Sequence, residues 1–263
     1  ITYCLGLPKF LLIFLVSDQG QKENAASLKT SMFLTTNFLK PLFLVLLSFL
    51  LDCWVYFEEI FGRPTQYRAF WWSPDSKYIS FMRFDERNVP MFPIYNSEGQ
   101  HGFVEETRYP KVGDANPTVK IGWTSPTGGN ITWADFNDQD DQYFGWPIWN
   151  PNNNAMWLSW MDRGQNNLKI YELDMVTGAK KEVYKEYQKT WIDLEDRVSG
   201  RINFLSENKG YIAQSDETGW NQLYMYTMDG TLDHAITNGK FTVTSIKFID
   251  EKNKTIYFVA RGI

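Results

Sequence analysis

The sequence predicts an all-β fold, part of a β-propeller, on three observations. Aromatic content is high, with 11 Trp, 14 Tyr and 19 Phe in 263 residues, and such side chains suit pleated, half-buried strands better than helices. A strand, turn, strand, strand unit recurs along most of the chain. Its recurrence at intervals of 55 and 44 residues in the later part suits blades that cover one another's apolar faces. A β-sandwich is the alternative, but it would not require a repeated strand order.

The first 51 residues stand apart from this pattern. Their only charged residues are Lys9, Asp18, Lys22, Glu23, Lys29 and Lys40, and Leu and Phe dominate. The stretch from Leu42 to Leu51 is apolar apart from Ser48, which is about half the roughly 20 residues a spanning helix needs. Three readings of this segment stay open: a buried or interfacial helix, a membrane segment over 33–51, or a non-native stretch such as an out-of-frame translation. The expected organisation is therefore an apolar segment, 1–51, of doubtful origin, followed by a propeller fragment, 52–263.

Each blade has its own turn chemistry. In FWWSPDSKYISFMRF (Phe70 to Phe84) an aromatic strand meets a Ser-Pro-Asp-Ser turn and an alternating strand from Tyr78. In the next copy Asn150-Pro151-Asn152-Asn153 occupies the turn and Trp157 to Trp160 the following strand. Leu168 to Leu173 is then a third strand, closed by Asp174-Met175-Val176-Thr177-Gly178. The copy from Ile202 repeats this plan through Gln222 to Tyr226 and an Asp229-Gly230 turn, and Val243 opens a fourth. Taking Trp72, Trp149, Phe204 and Phe248 as equivalent marks, the first interval is 77 residues, so it calls for an insertion or an extra degenerate blade. About four blades are too few to close a ring, and the chain is expected to be part of a larger protein.

Composition and motifs also exclude functions. A net charge of −5 without a Lys/Arg cluster argues against a nucleic-acid partner, since phosphate contacts supply most of that affinity. No G-x-S-x-G elbow is present, and His101 and His234, both in turn-like polar contexts, read as solvated rather than as bases. No catalytic residue is assigned. Two cysteines, Cys4 and Cys53, and two distant histidines give no zinc ligand set. The acidic run DFNDQDDQ (Asp135 to Gln142) has Asp140 and Trp146 where a calcium loop would want Gly and Glu. No metal and no cofactor is expected. The sequons at Asn130 and Asn253 are common by chance and carry little weight.

The acidic doublet in WVYFEEIF (Trp54 to Phe61) is different. Adjacent residues on a helix diverge by about 100°, so one exposed carboxylate with an incidental neighbour is the plain reading. The apolar flank of Trp54, Val55, Tyr56, Ile60 and Phe61 favours partial burial instead, and two carboxylates kept close there need a cation between them. An ammonium group, with three donors, fits that need.

At these residues the sequence resembles the dipeptidyl peptidase IV family of prolyl-specific serine peptidases. The resemblance rests on WVYFEEIF, on YRAFWWSPDSKYISFMRFDERNVPMFPIY (Tyr67 to Tyr95) and on RYPKVGDANPTVKIGW (Arg108 to Trp123), in that order. It implies an N-terminal propeller, eight-bladed in the family, over an α/β-hydrolase domain that supplies Ser, Asp and His. It also implies that Glu58 and Glu59 hold the free N-terminal ammonium of a peptide, with Phe61 lining the adjoining pocket. Cleavage would then follow the second residue, Pro or Ala in the family. The hydrolase domain has no counterpart in these 263 residues, so the chain is expected to be inactive alone. The resemblance further implies a periplasmic, secreted or membrane-anchored extracytoplasmic location and allows a homodimer. A non-catalytic propeller scaffold, including inactive relatives of the family, is the alternative.

Overall fold

The computed structural model describes residues 55–56, 69–192 and 201–262. The expectations for the apolar segment 1–51 lie outside the described residues.

The first blade begins with β1 (Phe70–Trp72) and β2 (Ile79–Asp85). The Ser-Pro-Asp-Ser turn between them forms as its residue types require. Ser73 Oγ donates to Asp75 Oδ1 at 2.7 Å, and Ser76 takes a positive φ of 59°, a conformation that short polar residues tolerate better than most. A long hairpin follows, β3 (Met91–Asn96) with β4 (Phe103–Arg108). The chain then returns as β5 (Thr118–Thr124), antiparallel to β2, and β6 (Thr132–Trp133). The first sheet is thus ordered β1-β2-β5-β6, with the hairpin forming a separate two-stranded sheet. That inserted hairpin accounts for the 77-residue interval, and no extra blade is needed.

The second blade runs in chain order through β7 (Gln142–Trp149), β8 (Met156–Asp162), β9 (Asn167–Leu173) and β10 (Lys180–Tyr187). The third does so through β11 (Ile202–Phe204), β12 (Tyr211–Ser215), β13 (Gln222–Tyr226) and β14 (Leu232–Ala235). A final pair, β15 (Thr242–Asp250) and β16 (Thr255–Arg261), forms the opening of a fourth. Trp72, Trp149 and Phe204 each end the first strand of their sheet. Phe248 does not, because β15 continues past it to Asp250. The architecture is an all-β partial propeller, as the sequence predicts.

Packing on both faces explains why the middle strands do not alternate cleanly. In β8, Met156, Trp157, Leu158, Ser159 and Met161 are all buried, since neighbouring blades cover each side of the sheet. The β3–β4 hairpin has one covered face at most, and Met91, Tyr95, Phe103 and Val104 are exposed. One core runs from Met82 and Trp123 through Phe144, Trp157 and Ile170 to Tyr211. Trp157 meets Phe204 and Tyr211 edge-on at 4.7 and 5.0 Å, a geometry the ring quadrupole favours.

Hydrogen bonds also cross each blade boundary. Trp123 Nε1 donates to the Met175 carbonyl at 2.8 Å, and the Asp135 N–H donates to the Gly178 carbonyl at 2.9 Å. Between the second and third blades, Tyr211 Oη donates to the Val183 carbonyl and Asn152 Nδ2 to the Leu205 carbonyl, the latter at 2.8 Å. Glu251 Oε1 accepts the Ser206 N–H at 2.8 Å at the next boundary.

Candidate functional site

The acidic doublet follows a residue that the fold holds firmly. Tyr56 is 2% exposed, and a buried phenol needs partners for its hydroxyl. Those partners lie 86 and 88 residues away on β7: the hydroxyl donates to the Gln142 carbonyl at 3.4 Å and accepts the Phe144 N–H at 3.1 Å. β7 stands at one end of the strand order in its sheet, so its far edge carries backbone groups that no strand of that sheet satisfies. The tyrosine hydroxyl takes up two of them.

Ring contacts complete the seat. Phe84 lies 4.7 Å from the Tyr56 ring and Tyr143 lies 6.3 Å away, edge-on. Tyr143 is itself held, because Asn116 Nδ2 donates to its hydroxyl at 2.6 Å. Asn116 also reaches Asp141, whose other oxygen accepts from Arg163 at 2.7 Å. Tyr56 of WVYFEEIF and Asn116 of RYPKVGDANPTVKIGW, in two stretches that sequence reasoning treated separately, therefore meet on β7.

Glu58, Glu59 and Phe61 themselves lie outside the described residues. Sequence reasoning did not foresee that Tyr56 is buried and bonded to β7. Its one local signal is a hydroxyl in an otherwise apolar flank, and its partners are too distant in sequence to be read. His101 is exposed in the turn between β3 and β4. His234 is exposed too, though it lies in β14 rather than in a turn, with Nδ1 3.0 Å from Asp233.

In the acidic run, Asn137 Nδ2 donates to Asp140 at 2.6 Å, and Asp138 lies 3.7 Å from Lys120. Among the described residues, no group of three or more His, Cys, Asp or Glu is arranged to hold a metal ion. A polar cleft on the first blade is lined by Arg83, Asp85, Arg87, Thr118, Lys120 and Asp138. The forked Arg87 side chain and its backbone N–H hold the Asp85 carboxyl down at about 2. Between the second and third blades, Glu186 and Arg201 form a buried pair at 3.3 Å. Tyr184 and Gln188 each donate to Glu186 at 2.6 Å, and burial pushes the Tyr184 phenol well up.

The sequence model of the dipeptidyl peptidase IV (DPP IV) N-terminal region matches residues 51–263. The chain belongs to this family. It is 34% identical over 222 residues to dipeptidyl peptidase 4 of Arthroderma otae, covering 79% of this chain and 28% of that protein. Dipeptidyl peptidase 4 of Trichophyton equinum is 32% identical over 219 residues, with the same coverage. The crystal structure of Porphyromonas gingivalis dipeptidyl peptidase 4 superposes with a TM-score of 0.68 at 24% identity, over 79% of this chain and 28% of that one. That likeness shows the fold. The chain spans 28% of the length of these relatives, and both family-like stretches fall inside the matched region. Among the described residues, no helix is long and apolar enough to cross a membrane.

Proposed function

We propose that this chain is the propeller portion of a dipeptidyl aminopeptidase, a serine peptidase that releases N-terminal dipeptides with Pro or Ala second. Glu58 and Glu59 anchor the substrate's free N-terminal ammonium, and Phe61 lines the pocket beside them. Catalysis belongs to an α/β-hydrolase domain that these 263 residues do not contain, so the chain by itself hydrolyses no peptide. The observation that carries this reading is the family match over 51–263, which includes the doublet. On the same reading the propeller portion begins at the change of composition beside residue 52, and the match from residue 51 supports that boundary.

Anchoring the amine fixes the register of the peptide and so places the cut after the second residue. Each charge-assisted contact is worth about 1.5–3 kcal/mol. In the full-length protein, Glu58→Ala and Glu59→Ala should therefore each lower kcat/KM for dipeptidyl substrates roughly ten- to hundredfold. Wild-type kinetics in both variants would remove the anchoring role. The reading frame downstream of Ile263 separates peptidase from scaffold: G-x-S-x-G followed by Asp and His supports the first, and a lost Ser the second.

The homodimer has a candidate surface in the β3–β4 hairpin, where Met91, Tyr95, Phe103 and Val104 are exposed. Charged replacements at Tyr95 and Val104 should then yield monomers by light scattering, and an unchanged mass would exclude the hairpin. The full-length protein is placed outside the cytoplasm, and its digestion by protease added to intact cells checks this.

A further inference from the structure

We infer that Asn238 is a site of spontaneous covalent modification, its side-chain amide closing on the Gly239 nitrogen to leave aspartate and isoaspartate in the loop between β14 and β15. Ring closure needs a backbone nitrogen open to attack by its position next in the chain, and glycine, without a Cβ, leaves that nitrogen the most open. The sequence holds two steps of Asp or Asn onto Gly, Asp229-Gly230 and Asn238-Gly239. The fold treats them differently.

At the first step both reacting groups are held. The Gly230 N–H donates to the Thr227 carbonyl at 3.0 Å, and the Asp229 carboxylate accepts the Thr231 N–H at 3.1 Å. Gly230 is also packed so closely that a Cβ would stand 2.5 Å from the Val183 carbonyl oxygen. At the second step Asn238 is exposed, and neither its side chain nor the Gly239 N–H makes a hydrogen bond among the described residues. The tethers lie on either side of the reacting pair. Thr237 Oγ1 accepts the Leu223 N–H at 2.9 Å, while the Gly239 and Phe241 carbonyls accept from Gln222 Nε2 at 3.2 and 2.6 Å.

Base takes the proton from the Gly239 nitrogen, which attacks Asn238 Cγ. The bond from Cγ to the side-chain nitrogen breaks and ammonia leaves. Water then opens the cyclic imide at either carbonyl. One opening gives aspartate, and the other gives isoaspartate, in which the main chain runs through the side-chain methylene. Both products add a negative charge. Only isoaspartate lengthens the chain, just ahead of the carbonyl that Gln222, itself 2% exposed, holds.

Incubating the intact chain in mildly alkaline buffer, with peptide mapping by mass spectrometry, tests this against the free peptide Thr-Asn-Gly-Lys. Asn238 should convert within about threefold of the peptide's rate, because no folded contact has to open first, and faster as pH rises. Asp229 should stay unmodified. Conversion about tenfold or more slower than in the peptide, equivalent to about 1.4 kcal/mol of added barrier, would show that the loop holds the pair and would overturn the inference. Absence of conversion, or isomerisation of Asp229 as fast as conversion of Asn238, would overturn it too. Asn238→Gln should abolish the new acidic species, and its persistence would place the modification elsewhere. By NMR, the Gln222 side-chain amide should shift in the isoaspartate form and stay in place in Asn238→Asp, which adds the charge without the methylene. An unmoved Gln222 amide in the isoaspartate form would refute the link to that residue.

Discussion

Gly178→Ala measures how tightly the blades are pressed together. Gly178 closes the turn between β9 and β10, with φ of +81°. Asp174 Oδ1 accepts the N–H groups of Val176 and Thr177 at 2.8 Å each and so shapes that turn. A Cβ on Gly178 would stand 2.1 Å from the carbonyl oxygen of Trp133, in β6 of the neighbouring blade. Two costs follow. The left-handed backbone costs a non-glycine residue about 1–2 kcal/mol, and forcing packed elements apart costs about 1–3 kcal/mol more. Gly99→Ala separates them, because Gly99 has nearly the same φ, +77°, and nothing within 4 Å of a Cβ. Gly178→Ala should destabilise by about 2–5 kcal/mol and Gly99→Ala by only about 1–2. Urea unfolding followed by tryptophan fluorescence reads both. Losses that agree within about 0.5 kcal/mol, the scatter of ordinary surface substitutions, would show that the blade contact contributes nothing.

Other expectations follow from charges and burial. Glu186→Ala removes the carboxylate from a buried pair with Arg201 and should cost about 3–5 kcal/mol in the same unfolding experiment. Burial pushes the Tyr226 phenol from 10.0 up to about 12. Between those values the unfolded chain sheds a proton that the folded one keeps, so stability falls as pH rises. Tyr226→Phe should flatten that alkaline decline in pH-dependent melting, while burial of Tyr211 and Tyr184, which raises them too, leaves some of it. Arg87→Ala should let Asp85 rise from about 2 towards 3.8, measurable by NMR titration. In the parent protein the Asp85 contribution is present above the unfolded value and lost as pH falls through about 2.

The strands were legible because their patterns are local. The run Gln222 to Tyr226 is a strand with the bounds read from sequence, and the Asp174 to Gly178 turn forms through contacts within five residues. Phe248 was misaligned as a mark because strand length depends on pairing with β16, which lies later in the chain. Tyr56 was passed over for the same kind of reason, since a hydroxyl's use is decided by whatever backbone it reaches.

By itself the sequence determined the fold class, the recurrence of blades and the family motifs around the acidic doublet, because turn residues and apolar patterning act over a few positions. Only the tertiary structure decided that the 77-residue interval holds a hairpin, that Gly178 abuts Trp133, and that Tyr56 is clamped to β7. The Gly178 and Tyr56 contacts join residues more than 40 positions apart, and the hairpin is an insertion only because β2 pairs with β5 beyond it. Such pairings are settled by which surfaces are covered when the blades pack, and no local pattern records that.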